Sequence, residues 1–152
     1  MSFILIASDH AGFNLKEKLK KFLEKKSFDV GDIGTYSKQR CDYPEFAYAL
    51  AKEISVGKHE RGILICKSGI GNSIVANRLA GVRAALCYSV KAARLSRRHN
   101  DSNILVLGSG FTPYKDAAKI VSAWLKAGFE GGRHQRRLDQ IKKIEKKMGL
   151  KR

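Results

Sequence analysis

The sequence predicts a three-layer α/β/α domain: a five-stranded parallel, Rossmann-like sheet, helices on both faces, and an additional C-terminal helix. Short apolar runs alternate with longer stretches of helical period, the pattern that buried parallel strands and their crossover helices produce. The stretches between the runs are long enough for such crossovers, which antiparallel hairpins would not need. At 152 residues, 43% of them apolar, the chain can bury a core as one domain spanning 1–152, without disulfides or a structural metal.

The first strand is expected at residues 3–7, where Phe-Ile-Leu-Ile-Ala stops at Ser8-Asp9-His10. Gly12 precedes a helix over 14–26, and 28–33 reads as the second strand. A helix at 45–56 leads to a third strand at 62–66, Gly-Ile-Leu-Ile-Cys, and the glycines Gly69 and Gly71 open a helix at 71–79. The fourth strand, 82–86, carries Arg83 and two alanines and has the weakest apolar signal. A helix at 89–97, a fifth strand at 104–107 and a helix at 114–126, started by Pro113, complete the alternation. The last helix, 132–147, has no strand after it. Leu138, Ile141, Ile144 and Met148 recur at three- to four-residue spacing, a stripe suited to the sheet's own helices or to a second subunit.

Composition narrows the function classes. The opening apolar run is too short for a membrane span and carries no basic leader, which points to the cytoplasm. Cys41, Cys66 and Cys87 are an odd number without a CxxC pair, so neither a disulfide framework nor a zinc ribbon is indicated. No resolving cysteine lies near another in sequence, which disfavours thiol redox chemistry. A net charge of +16 and a pI near 10.0 would suit nucleic-acid binding, steering of an anionic metabolite, or solubility. Many of the lysines, Lys16, Lys20 and Lys142 among them, fall on helical stretches with no aromatic stacking platform beside them. That favours a solvated basic face over a nucleic-acid footprint.

In open parallel sheets ligands bind beyond the carboxyl ends of the strands, and two strand exits here are unusual. The third, Cys66-Lys67-Ser68-Gly69-Ile70-Gly71, joins a thiol to a glycine turn that opens a helix. Free amides and the dipole at such a turn favour an anion, a phosphate or an enediolate oxygen. The turn has neither the further glycine of a dinucleotide fingerprint nor the lysine and hydroxyl of a P-loop. A thiol at its mouth is expected to titrate below roughly 8.5 and to act as base or nucleophile, the alternative being a small core residue. Cys41 and Cys87 lack the glycine loop and read as packing residues. Asp9-His10 at the first exit and His99-Asn100 before the fifth strand are polar pairs expected to converge on one sheet edge. Arg133 and Arg137, four apart on the last helix, share a face and form either a phosphate fork or a surface pair, flanked by His134 and Arg136. Trp124 reads as core.

Several segments together resemble one family: Asp9-His10-Ala11-Gly12-Phe13, Asp42-Tyr43-Pro44, Gly62 to Cys66, Ser68-Gly69-Ile70-Gly71, Ala76-Asn77, Leu95-Ser96-Arg97, His99-Asn100-Asp101 and Gly131-Gly132-Arg133-His134-Gln135. In that order, and over nearly the whole chain, they are similar to ribose-5-phosphate isomerase type B and the related galactose-6-phosphate and allose-6-phosphate isomerases. The resemblance implies a sheet in which the first strand lies between the second and third, and the fifth between the third and fourth. It implies a homodimer or dimer of dimers with sites between subunits, and no metal or other cofactor. The implied reaction interconverts ribose 5-phosphate and ribulose 5-phosphate in the pentose phosphate pathway, by ring opening and a cis-enediol. By resemblance Cys66 is the base at C2, with the Ser68 hydroxyl beside it, and the amides of Gly69, Ile70 and Gly71 hold the oxyanion. His99 opens the ring with Asp9 assisting, His10, Asn100, Arg133 and Arg137 contact substrate and phosphate, and Tyr43 lines the pocket.

Two positions depart from the family pattern. Lys67 stands where glycine is usual, and Gly110 where an arginine usually follows Gly108-Ser109. A positive φ at 67 would strain the lysine; otherwise its ammonium either stabilises a thiolate or enediolate or points to solvent. The missing arginine removes a phosphate contact. A hexose 6-phosphate isomerase on the same scaffold is the nearest alternative. A non-catalytic basic nucleic-acid-binding protein, with Cys66 dispensable, is the alternative of another class.

Overall fold

The structure, a computed structural model, describes residues 2–150. In chain order the elements are β1 (Phe3–Ser8), a 3-10 turn (His10–Gly12), α1 (Phe13–Lys25), β2 (Asp29–Asp32), α2 (Tyr43–Ser55), β3 (Gly62–Cys66), α3 (Ile70–Ala76), β4 (Ala84–Leu86), α4 (Val90–Asn100), β5 (Ile104–Gly108), α5 (Tyr114–Lys126) and α6 (Arg133–Lys147). The sheet order is β2-β1-β3-β5-β4 and every neighbouring pair is parallel.

Strand alternation sends half of each apolar run to each layer. Ile4, Ile6, Ile63, Ile65, Leu105 and Leu107 pack with Leu19, Leu23 and Trp124 of α1 and α5. On the other face Leu5, Ala7, Leu64, Ile104 and Val106 meet Leu50 and Ile54 of α2. β3 and β5 are buried at every position, which is why their sequences are continuous apolar runs rather than alternating ones.

Several boundaries differ from expectation, three of them for clear local reasons. α3 ends at Ala76 because the Asn77 side chain turns to the edge strand, donating to Ala84 O at 2.9 Å and accepting from Ala84 N at 2.8 Å. β4 shrinks to three residues because Arg83 is drawn aside: its N donates to Asn103 Oδ1 at 2.8 Å, and its Nε to Asp101 O at 2.9 Å. α4 runs on to Asn100, where Asp101 at φ 45° closes it. Arg97 anchors that end, buried 5.8 Å from the Trp124 ring and paired with Asp101 at 3.0 Å. α6 packs on α4 through His134 and Leu138, but Ile141, Ile144 and Met148 stay 43%, 54% and 69% exposed, so most of the stripe has no cover in one protomer.

Lys16 corrects the picture of solvated helix lysines. Its side chain is fully buried, with Nζ 2.5 Å from Asp32 Oδ2 and 3.2 Å from Glu17 Oε1, while Lys20 reaches the same Asp32 oxygen at 2.7 Å. Burial pushes the Asp32 carboxyl up, but hydrogen bonds from Lys16, Lys20 and the Gly34 amide outweigh it and hold the group below its ordinary 3.8. The pair ties α1 to the end of β2. Asp32→Asn leaves a buried ammonium without its main counter-charge and is expected to cost about 3 kcal/mol at neutral pH by urea unfolding. A carboxyl titrating low in the folded state contributes above its unfolded value and is lost as pH falls through the folded one. The gap between wild type and Asp32→Asn should therefore narrow below pH 3.8.

Candidate active site

β3 delivers Cys66 to the carboxyl edge of the sheet, and the flanking exits close around it. Asp9 N donates to Ile65 O at 3.3 Å. A Cβ on Gly12 would come within 2.6 Å of the same carbonyl, so the turn after β1 presses directly on the end of β3. Asp9 is buried and its Oδ1 accepts from Gly12 N at 3.1 Å. From the other side Ser109 N donates to Cys66 O at 2.9 Å, and its hydroxyl to Ala11 O at 2.9 Å.

The glycine turn is shaped by close approach. Gly69 sits at φ 83°, a left-handed position where a side chain would be strained. The turn points Gly69 N–H at Cys66 Sγ, 3.2 Å away. Ser68 Oγ accepts from Ile70 N at 3.1 Å, which leaves its own proton free to donate. The Tyr43 ring covers Gly71, where a Cβ would lie 2.3 Å from Cζ. His10 is held by the Cys41 peptide, its Nδ1 3.1 Å from the carbonyl oxygen and 3.2 Å from the nitrogen. Asp9, His10, Tyr43, Cys66, Ser68, Gly69, Ile70 and Gly71 thus gather at one edge, with Ile70 largely exposed.

The thiol does not titrate low. Burial raises the Cys66 pKa above its ordinary 9.0, and the nearby Asp9 charge adds to the rise. The backbone N–H groups of Asn72, Gly69 and Ser68 oppose this without overcoming it. Of the amides expected to await an external anion, that of Gly69 turns to the sulfur and that of Ile70 to Ser68 Oγ. Of the two alternatives for Lys67 the geometry favours the one away from the thiol: it is exposed, and the charged side chain that acts most on the sulfur is Asp9. Its φ is not positive, so its backbone is unstrained. Cys87, the packing cysteine, is pushed to about 11 by burial.

His99 and Asn100 do not join this edge. α4 crosses back between two parallel strands, so its last residues lie at the amino edge, where Asn103 O accepts from Gly62 N, the first residue of β3. From there to Cys66 is four strand steps, ~13 Å at about 3.3 Å per residue. His99 stacks on His134 with ring centroids 4.2 Å apart. Glu130, which the sequence reading passed over, has Oε2 3.8 Å from His99 Nε2 and 3.6 Å from His134 Nε2. Its other oxygen is gripped by Arg98, with Nε at 2.5 Å. Its spacing of four from His134 was a readable signal. Burial lowers the His134 pKa, aided by the positive charges of His99, Arg133 and Arg137. Arg133, Arg137 and Asn100 are exposed beside this group. The donor atoms of His99, Glu130 and His134 lie within 4.8 Å of one another, a set a divalent metal could use. Arg98 already holds the carboxylate, and the neighbouring arginines oppose a dication. Tyr88, whose hydroxyl donates to Ser68 O at 2.6 Å, and Asn72 are further site neighbours with no sequence signal.

A buried thiol with amides around it, a carboxylate and a free hydroxyl beside it, and no nucleotide loop is equipped to move protons on a small oxygenated substrate. The class defined is an α/β isomerase-type enzyme. A family model described as Ribose/Galactose Isomerase matches residues 4–141, and the chain belongs to that family. It is 44% identical over 147 residues to ribose-5-phosphate isomerase B of Escherichia coli strain K12, covering 97% of this chain and 99% of that one. Among solved structures, ribose-5-phosphate isomerase B of Clostridium thermocellum superposes with a TM-score of 0.94 at 46% identity, over 96% of this chain and 99% of that one. The Mycoplasma genitalium enzyme, solved with ribulose 5-phosphate bound, gives 0.92 at 46% identity, over 96% and 98%.

The thiol's environment can be checked directly. Thiolate absorbance near 240 nm, taken as the difference between wild type and Cys66→Ala, should titrate above 9.0. Asp9→Asn should bring that titration down, because it removes a negative charge beside the sulfur. An unmoved titration would disconnect Asp9 from Cys66.

Proposed function

We propose that this chain is an aldose-ketose isomerase that interconverts ribose 5-phosphate and ribulose 5-phosphate. The observation that carries the reading is the Cys66 sulfur, ringed by backbone amides at the exit of β3, in a family with a ribulose 5-phosphate-bound member. For ring opening, His99 donates a proton to O4 as the C1–O4 bond breaks, while Asp9 accepts the O1 proton. The Cys66 thiolate then takes the C2 proton, and the electron pair forms the C1–C2 double bond with charge on O1. Ser68, whose proton is free, relays hydrogen from O2 to O1. Cys66 returns its proton to C1, leaving the ketone at C2. Arg133 and Arg137 hold the phosphate, so that binding energy from a non-reacting group positions C1 and C2. His10, Asn100 and Tyr43 line the pocket.

Since His99 and Cys66 occupy opposite sheet edges, we infer that a complete site needs two copies, each giving one edge. The uncovered Ile141, Ile144 and Met148 support this, as does a cavity of about 590 Å³ beside them, between α6 and β4. A reducing cytoplasm suits a reaction that needs Cys66 as a free thiol.

The test is kcat/KM with ribose 5-phosphate, allose 6-phosphate and galactose 6-phosphate, the pentose expected to lead. A hexose phosphate in the lead would move the substrate to the alternative. Steep salt-dependent RNA binding with no turnover would replace the reading altogether. Cys66→Ala should lower kcat by about a hundredfold or more in a folded protein. Arg137→Ala should raise KM about tenfold, the worth of one charge-assisted hydrogen bond.

Mixing settles the shared site. Cys66→Ala and His99→Ala proteins, each inactive, should recover about a quarter of wild-type activity when co-refolded, since half the dimers then carry one intact site. No recovery from well-formed dimers would place each site within one chain.

A further inference from the structure

Lys67 is exposed, but its side chain lies on the fold rather than free in solvent. A Cβ on Gly110 would be 2.8 Å from Lys67 Cε and 3.1 Å from Cδ, so the lysine stem runs directly over that glycine. The two backbones are also joined, Gly110 N donating to Lys67 O at 2.8 Å, one step beyond the bond from Ser109 N to Cys66 O at 2.9 Å. Gly110 does not have a positive φ, so its backbone does not call for glycine; the room it leaves for the lysine does. Lys67 and Gly110 are a matched pair: a side chain starting from either position would enter one corridor, and here the lysine fills it.

The ammonium carried along that corridor has no ion pair or side-chain hydrogen bond among the described residues. It stands at the carboxyl edge, between the exits of β3 and β5. Its stem runs from Cys66 toward the loop after β5, and the sulfur answers chiefly to Asp9 among charged groups. A lysine so placed suits an anionic group a few bonds from the reacting carbons, which on a pentose phosphate is the phosphate. The arginines Arg133 and Arg137 stand at the other edge of the same protomer, so on the Cys66 side it is Lys67 whose stem lies beside the exits of β3 and β5.

We propose that Lys67 is the phosphate-binding cation supplied by the protomer that supplies Cys66, with Gly110 as the companion residue whose missing side chain lets the lysine lie in place. This rests on the isomerase reading and names a further specificity-determining residue within it. Two alternatives are distinct: support of the thiolate, which would act on kcat and on the pH profile, and a solvated surface charge, which would act on neither.

The experiment is a set of variants read by KM, kcat, pH profile and inhibition by inorganic phosphate. Lys67→Met keeps the stem and removes the charge. KM for ribose 5-phosphate and Ki for phosphate should each rise about tenfold, while kcat and the rising limb of the profile, where Cys66 loses its proton, stay in place. Gly110→Ala should raise KM when Lys67 is present, because its Cβ displaces the stem, and have no further effect in a Lys67→Ala background. The atom displaced is the far end of a flexible side chain, so the fold should hold, with an unchanged Tm as the check. The double variant Lys67→Gly with Gly110→Lys moves the cation to the other end of the corridor and should restore both constants.

Wild-type KM and Ki in Lys67→Met would overturn the proposal. So would a Gly110→Ala effect that persists without the lysine, or a moved pH limb with reduced kcat. If wild type turned over no ribose 5-phosphate, the isomerase reading would fail separately. Calorimetry with inorganic phosphate would still decide Lys67, whose loss must then weaken phosphate binding by a similar factor.

Discussion

The central strand β3 governs the rest of the molecule. It is buried along its whole length between β1 and β5, so its polar backbone must be satisfied by parallel neighbours and its side chains must be apolar on both faces. On this strand a reactive side chain has a place only where that constraint lapses, at the residue leaving the sheet. Cys66 is that residue. Its neighbours can come close only because they lack side chains: Gly12 against Ile65, Gly108 against Ser68, Gly71 beneath Tyr43. The glycines are spacing elements that let three chain segments share the end of one strand.

Burial at that point sets the chemistry. A thiol taken out of water resists ionisation, and the amide groups converging on it recover part of the loss. The balance leaves a stronger but scarcer base. In the proposed reaction that trade is reasonable, because the C2 proton of an aldose is weakly acidic and a low-pKa thiolate would remove it poorly. A thiol made reactive simply by a positive loop would be the opposite solution.

Much of this was legible in the sequence. The continuous apolar runs marked the strands, and the Cys66 to Gly71 segment marked the edge where the candidate site residues gather, because glycine spacing and strand exits leave direct traces. What was not legible depended on tertiary direction and burial. Polar groups distant in sequence were expected to meet, but His99 ends a crossover helix and so must return to the amino edge. Lys16 looks like any helix lysine until Asp32 is seen beneath it. The end of α3 turns on Asn77 preferring the edge strand to another helical turn, a competition between two satisfactory local states. The sign of the Cys66 shift required knowing how deeply the sulfur is buried, which no motif encodes.

The split between sheet edges also gives the chain's charge a physical reading. If the proposed site forms between two copies, the face bearing Arg133 and Arg137 must approach the edge bearing Lys67 and Cys66. Like charges would then be brought together around a space where Asp9 and Glu130 offset them in part. Such an arrangement is unfavourable empty and favourable filled, since a doubly charged phosphate relieves the repulsion on both sides at once. Substrate would then stabilise the association as well as occupy it, by the ordinary linkage between a ligand and the state that binds it. The basic composition, which from sequence would suit nucleic-acid binding, anion steering or a solvated face, would thereby be accounted for in part by a small anion, held between surfaces that in this reading neither copy completes alone.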